Sequence, residues 1–291
     1  MAVPTGTHEA LLAWGEATRR DLPWRRTRDP WAVLVSELML QQTQVARVAT
    51  RYPAFLRRFP DPAACATAPV SEVVRAWAGL GYNRRAVHLH GAATAVVDRH
   101  GGVLPDRLDA LLRLPGVGAY TARAVLAFAF EVDVGLVETN TGRVLARAFA
   151  GRRLPSPSSA QAVADGAVPA GRAWAWNQAL MDLGATVCTR RQPRCDTCPV
   201  RPSCRWAATG FEGPDPMDGS APSGRRQGVF AGSDRQARGR LVDALRRAPV
   251  PLEGIAAAAG WPDAPARAVR VAAALVAEGL AVADGDDLRL P

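Results

Sequence analysis

Four cysteines, Cys188, Cys195, Cys198 and Cys204, crowd into one short segment with the spacing C-x6-C-x2-C-x5-C. No other feature constrains the fold as tightly, because the backbone there must wrap to let the sulfurs serve one another or a shared ligand. Thiolates are soft ligands that suit iron–sulfur clusters or zinc. A structural zinc site usually draws on two separated CxxC pairs. Here one CxxC pair is flanked by single cysteines, which favours a cubane 4Fe–4S cluster whose corners take single thiolates from a wrapping loop. Such a core, ligated by four thiolates, is anionic overall, and Arg190, Arg191, Arg194, Arg201 and Arg205 in the same segment offset it. A zinc loop or disulfides are the alternatives.

Upstream, residues 111–122 read LLRLPGVGAYTA. An apolar helix end runs into Pro115-Gly116-Val117-Gly118, and a second helix is expected from about Ala119. The glycines Gly116 and Gly118 allow a tight turn and let backbone N–H groups point outward from a helix N-terminus. That geometry binds a phosphate without reading sequence. This is the helix-hairpin-helix pattern. By itself a GxG between helices is often only a turn. Followed by this cysteine segment, it resembles the base-excision DNA glycosylases of the endonuclease III superfamily.

Charge agrees with such a partner. The net charge of +9 and a pI near 10.4 favour a polyanion. All 36 basic residues are arginine. Without lysine, a lyase acting through a lysine Schiff base is excluded. The excess is uneven: residues 237–291 carry seven arginines and seven acids, so this tail is expected to add little phosphate contact. Cys65 lies in an Ala-rich stretch and reads as a small core residue. His8, His88, His90 and His100 show no ligand spacing with carboxylates. No long apolar run is free of charge, and the N-terminus lacks a basic-then-apolar signal, so a cytoplasmic, nucleoid-associated monomer is expected, with no membrane span.

The pattern is mostly α. Asp29-Pro30 is a start signal, and one helix is expected from about Trp31 to Val48. Other expected helices cover 8–20, 49–58, 71–78, 84–99, 106–113, 119–129, 138–149, 158–168 and 173–185. The expected architecture is a two-lobed helical glycosylase fold. Residues 1–28 and 136–206 form a cluster lobe, and 29–135 a helical lobe with the hairpin. Residues 207–234 are a Gly-, Pro- and Ser-rich linker. Residues 235–291 outline a small winged-helix-like domain, with three short helices and a final pair of strands turning at Asp284-Gly285-Asp286.

In the helix after Pro30, Leu34, Leu38 and Val45 fall on one face, and Glu37, Gln41 and Gln44 on another. The string Ser36-Glu37-Leu38-Met39-Leu40-Gln41-Gln42-Thr43-Gln44-Val45 closely resembles the MutY-type adenine DNA glycosylases. The resemblance covers about Glu9 to Arg205. It implies that Glu37 is the general acid that protonates adenine at N7. It makes Gln42 and Tyr82, the latter in Gly79-Leu80-Gly81-Tyr82, the wedge that fills the gap left by the flipped nucleotide and probes the opposite base. Gln41 joins the DNA-binding set. Trp24, Arg25 and Asp182 belong to the adenine pocket. Bifunctional relatives have a lysine where this chain has Tyr120, so Tyr120 matches the monofunctional pattern. The implied partner is double-stranded DNA with mismatched or oxidised bases.

Adenine leaves deoxyribose poorly until N7 is protonated, so a carboxylic acid must be kept protonated by burial. The developing oxocarbenium ion then needs a nearby anion, which is the two-carboxylate logic of retaining glycosidases. The resemblance places that anion in Val137-Glu138-Thr139-Asn140, with Asn140 supporting the acid. Here the chain departs from the family, which has aspartate where this sequence has Glu138. Three readings follow: local shifts let Glu138 substitute, the substrate differs, or the enzyme is impaired. Typical members also carry a Nudix-like C-terminal domain that recognises 8-oxoguanine, and residues 235–291 carry no such pattern. Asn83 stands where relatives often have a second tyrosine. A same-fold glycosylase for another mismatched base, or a catalytically silent DNA-binding damage sensor, are the competing functions.

Overall fold

The computed structural model describes residues 3–222 and 228–291, so the middle of the expected linker, residues 223–227, lies outside the described residues. The chain divides into two compact units, Met1–Pro30 with Gly118–Arg226 and Trp31–Val117 with Gln227–Pro291.

The first unit opens with α1 (Thr5–Thr18). The second unit takes α2 (Pro30–Leu40), α3 (Val45–Arg58), α4 (Pro62–Thr67), α5 (Val70–Ala76), α6 (Arg84–His100) and α7 (Leu108–Leu111). The chain re-enters the first unit as α8 (Ala119–Ala129), α9 (Thr139–Val144), α10 (Pro157–Asp165), α11 (Ala173–Thr186) and α12 (Arg205–Ala208). It ends in the second unit with α13 (Asp234–Leu245), α14 (Ile255–Ala259) and α15 (Pro265–Ala277). Strands β1 (Val250–Pro251), β2 (Val282–Asp284) and β3 (Asp287–Arg289) make an antiparallel sheet in the order β1-β3-β2. Three helices with this small sheet are the winged-helix outline, and β1 supplies a strand that the sequence reading did not contain.

Pro30 is the first residue of α2, where its fixed φ suits the opening turn. The single helix expected from Trp31 to Val48 is instead broken. The chain turns after Leu40, Gln42 takes φ 55°, and α3 begins afresh at Val45. A left-handed residue cannot be carried inside a right-handed helix. Glu37, Gln41 and Gln44 therefore do not share one helical face, and Val45 belongs to the next helix. The expected polar face is absent too: α2 is buried all round from Trp31 to Met39, Ser36 and Glu37 included. Asp61 caps α4, an unexpected helix, by accepting from Ala64 N at 2.7 Å, and it holds the fully buried Cys65.

The first unit's core gathers Leu11 of α1, Phe149, and Trp176, Leu180 and Leu183 of α11, with Cys188, Cys198 and Cys204 packed against it. Burying a large apolar side chain such as Leu183 stabilises by about 1.5–3 kcal/mol. After α9 the backbone widens into a π-helix over Leu145–Ala150.

Candidate functional site

Trp24, Arg25, Gly118, Tyr120, Glu138, Asn140, Asp182 and the four cysteines lie in the first unit. Glu37, Gln41, Gln42, Tyr82 and Gly116 lie in the second.

The cysteine loop follows α11. All four thiols line one cavity of roughly 400 Å³, together with Arg147, Arg194, Arg201 and Trp206. No cysteine is in a disulfide. Burial pushes the Cys198 thiol up to about 11. Among the described residues no set of three or more His, Cys, Asp or Glu side chains closes on a single metal ion. Arg147 is the cation that reaches the cysteines. Its Nη1 lies 3.5 Å from Cys188 Sγ and donates to Thr189 O at 2.8 Å, while its Nε donates to Asp215 at 2.9 Å. Burial opposes the charge, yet Asp215 and the Cys188 sulfur hold this guanidinium above its ordinary value. Its Cζ sits 4.9 Å from the Trp206 ring centre. The Trp206 indole N–H is the one buried side-chain donor among the described residues with no hydrogen-bond partner. Arg147 comes from outside the cysteine segment, so the sequence reading, which credited only the loop arginines, missed it.

Asp182 of α11 is 1% exposed and sits in an ion-pair cluster. It accepts from Arg25 Nη1 and Nη2 at 2.7 and 3.0 Å, and from Arg20 Nε at 2.6 Å. Burial raises its carboxyl, but the Arg25 hydrogen bonds and the two cationic charges win and hold it below the usual carboxylate value. Trp24 and Arg25 occupy the buried 3-10 turn Pro23–Arg25. Tyr120 is half-buried in the first turn of α8.

Glu138 is the N-cap of α9. Its Oε1 accepts from Thr141 N at 2.9 Å, its Oε2 from Thr139 Oγ1 at 3.0 Å, and its own N–H donates to Thr141 Oγ1 at 2.9 Å. This capping box fixes the carboxylate at the positive end of the helix. Asn140 Oδ1 accepts from Arg143 Nη2 at 2.9 Å, and Arg143 Nε donates to Cys188 O at 2.6 Å. Arg143 therefore joins the start of α9 to the cysteine loop. Gly184 lets α11 approach this turn, because a Cβ there would lie 2.6 Å from Asn140 O.

In the second unit, Glu37 is 4% exposed, one helical turn before the end of α2. Gln42 and Tyr82 stand in the two loops beside it, at φ 55° and φ 45°. They are two of four non-glycine residues with positive φ among the described residues. Such backbones cost about 1–3 kcal/mol each and gather at working sites. Arg85 ties the loops together. Its Nη1 donates to Leu38 O and Met39 O at 2.6 and 2.7 Å, and its Nη2 to Thr43 Oγ1 and Gly81 O at 2.8 and 2.9 Å. Burial lowers its guanidinium to about 10, which leaves it charged at neutral pH. Sequence reasoning passed over Arg85 because nothing distinguishes it among 36 arginines. Gly116 takes φ 75° in the turn after α7, where a Cβ would meet His88 Cβ at 2.7 Å. Gly118 caps α8.

The HhH-GPD superfamily base excision DNA repair protein model matches residues 35–169. An adenine DNA glycosylase of Mycobacterium tuberculosis is 46% identical over 275 residues, covering 93% of this chain and 88% of that protein. One from Mycolicibacterium smegmatis is 44% identical, covering 94% of this chain and 93% of its own length. The human adenine DNA glycosylase is 41% identical over 70% of this chain and 40% of its own. Among solved structures, a thermostable thymine-DNA glycosylase superimposes with a TM-score of 0.65 at 32% identity, over 69% of this chain and 94% of the other. An endonuclease III bound to DNA gives a TM-score of 0.61 at 22% identity, over 73% and 100%, a likeness of fold. The chain belongs to the HhH-GPD superfamily and, within it, to the family of the adenine DNA glycosylases. Among the described residues no helix is long and apolar enough to cross a membrane.

Proposed function

We propose that this protein is a monofunctional base-excision glycosylase that hydrolyses the N-glycosidic bond of adenine mispaired with 8-oxoguanine or guanine. It acts as a monomer on double-stranded DNA in the bacterial cytoplasm. The observation that carries the reading is Glu37, 4% exposed on a helix buried from Trp31 to Met39, beside two loops with left-handed residues. Glu37 protonates adenine N7 and turns the base into a leaving group. Glu138, fixed by its cap, supplies the anion for the oxocarbenium ion, and Asn140 and Arg143 steady that turn. Gln42 and Tyr82, with Gln41 beside them, enter the base stack where the adenine is flipped out. Trp24, Arg25 and Asp182 are assigned to adenine binding, with Asp182 holding Arg25 by a hydrogen bond. Backbone N–H groups around Gly116 and Gly118 bind a DNA phosphate. With no lysine in the chain and Tyr120 on α8, water completes the reaction and no lysine imine forms.

A 4Fe–4S cluster fits the cysteine cavity. Four cysteine sulfurs around one cavity suit a polynuclear centre, Arg147 offsets its charge, and the Trp206 N–H offers a donor. When bound, the cluster would cross-link the loop from Cys188 to Cys204.

One observation favours a second reading. The thymine-DNA glycosylase likeness, together with Glu138 in place of aspartate, fits excision of another mismatched base. Base release from a panel of duplexes, with adenine, thymine or uracil opposite guanine and adenine opposite 8-oxoguanine, decides between them. Adenine release is expected. Release of pyrimidines alone would overturn the proposal, and tight binding without release of any base would put the damage-sensor reading ahead.

A further inference from the structure

The second unit holds a groove of roughly 1980 Å³ with two kinds of wall. One wall carries Gln42, Tyr82, Arg47 and Arg84. The other is formed by the C-terminal domain and the segment leading into it, and presents Phe230 of that segment and Arg235. The domain is tethered to the helical part. Arg246, which caps the C-terminus of α13, donates to Asn83 Oδ1 at 2.8 Å and to Val74 O at 3.0 Å. Asn83, next to Tyr82, thus serves as an anchor for this domain. Tyr82 and Phe230 are 37% and 53% exposed, large for aromatic side chains. The Arg235 guanidinium stands 5.1 Å from the Phe230 ring centre. Arg47 and Arg84 are exposed on the facing wall.

Arginines on both sides of a groove, Arg47 and Arg84 exposed and Arg235 half-buried, with the aromatic side chains of Tyr82 and Phe230 lining it, match a nucleic-acid strand in both charge and stacking. The neutral total for residues 237–291 concealed this. Arg235 lies just outside that count, and position in the groove matters more than the sum. We infer that the C-terminal domain is a DNA-binding wall. A DNA strand runs between it and the wedge loops, Arg235 contacts its phosphate and Phe230 stacks on a base or sugar. The inference rests on the proposed wedge role of Gln42 and Tyr82.

The test is equilibrium binding of the full-length protein to a duplex with an uncleavable adenine analogue opposite 8-oxoguanine, across a salt series. Adenine release is measured in parallel on the cleavable duplex. Arg235→Ala should weaken binding and flatten the salt slope by about 0.9, the share of one phosphate contact. Phe230→Ala should weaken binding about five-fold or more at unchanged slope. Arg270→Ala removes the same charge from an exposed site on α15 of the same domain and should do neither. If the wild type binds and excises while Arg235→Ala and Phe230→Ala behave like Arg270→Ala, the groove assignment is wrong and the function stands. If the wild type binds without excising and the two variants still shift, the groove stands and the function reading falls. A wild type that does not bind DNA sinks both.

Discussion

Arg85 Nη1 donates to the carbonyl oxygen of Leu38 at 2.6 Å, one residue after Glu37. The same guanidinium holds Met39 O, Thr43 Oγ1 and Gly81 O, so one buried cation joins the end of the acid's helix to both wedge loops. Lysine carries the charge but not the planar fork. Arg85→Lys should lower the single-turnover rate about 100-fold, the scale of a 1 Å misplacement. It should also cost about 3 kcal/mol of stability, because several carbonyls lose a charged donor. A rate within a few fold of wild type would show that Glu37 is positioned without Arg85.

Glu37→Gln should abolish excision and leave duplex binding largely intact. The amide keeps the shape and cannot give up a proton in the same way, and general acids contribute about 100- to 10,000-fold. Rapid-quench measurement of base release decides it; a variant only a few fold slower would refute the role.

Glu138 has two duties that stability and rate can separate. Removing the cap in Glu138→Ala should cost about 1 kcal/mol. Removing the anion should cost at least about 100-fold in rate, since that charge acts mainly in the transition state. Aspartate is the more usual cap and restores the family side chain, so Glu138→Asp should keep both. A Glu138→Ala variant that is less stable yet fully active would make the residue a cap alone.

Asp182 predicts a pH dependence. Its folded pKa lies below 3.8. The stability it contributes is therefore present above the unfolded value and is lost as pH falls through the folded value. Asp182→Asn leaves Arg25 buried without its partner and should cost about 3–5 kcal/mol at neutral pH. That gap should narrow below about pH 4. Denaturant titrations at several pH values would show it, and a constant gap would mean that the pair is not ionised.

The cysteine cavity predicts about four irons per chain and the broad visible absorbance of thiolate-to-iron charge transfer. Stoichiometric zinc without iron would contradict it. If the Trp206 N–H donates to the cluster's sulfur, Trp206→Phe should lower the reduction potential at unchanged iron content. An unchanged potential in voltammetry would remove that contact.

Cysteine spacing and the Gly116–Gly118 turn were legible in the sequence because thiolate chemistry and left-handed backbone each demand particular residues. Glu37 was legible as a residue and the chemistry asked for its burial, but periodicity set it on a polar face that the fold does not have. Periodicity extended its helix through Gln42, since no rule forbids glutamine in a helix and only tertiary ties force its φ to 55°. Arg85, Arg143 and Arg147 were invisible for a related reason. Each draws its role from carbonyls or a sulfur that the fold brings close, and the sequence shows only one arginine among many.

The left-handed backbones at Gln42 and Tyr82 also bear on search. Thr43 Oγ1 donates to Leu80 O at 3.0 Å, so both loops are braced from within the protein. A probe already in shape pays no ordering cost at each base pair it tests. If Gln42 and Tyr82 are the probe of a protein that slides along DNA on phosphate contacts, its dwell time at each step would be set by how readily the base stack yields. Undamaged pairs release it quickly and weak ones detain it. On that reading the speed of patrol over a genome would depend on two strained torsion angles.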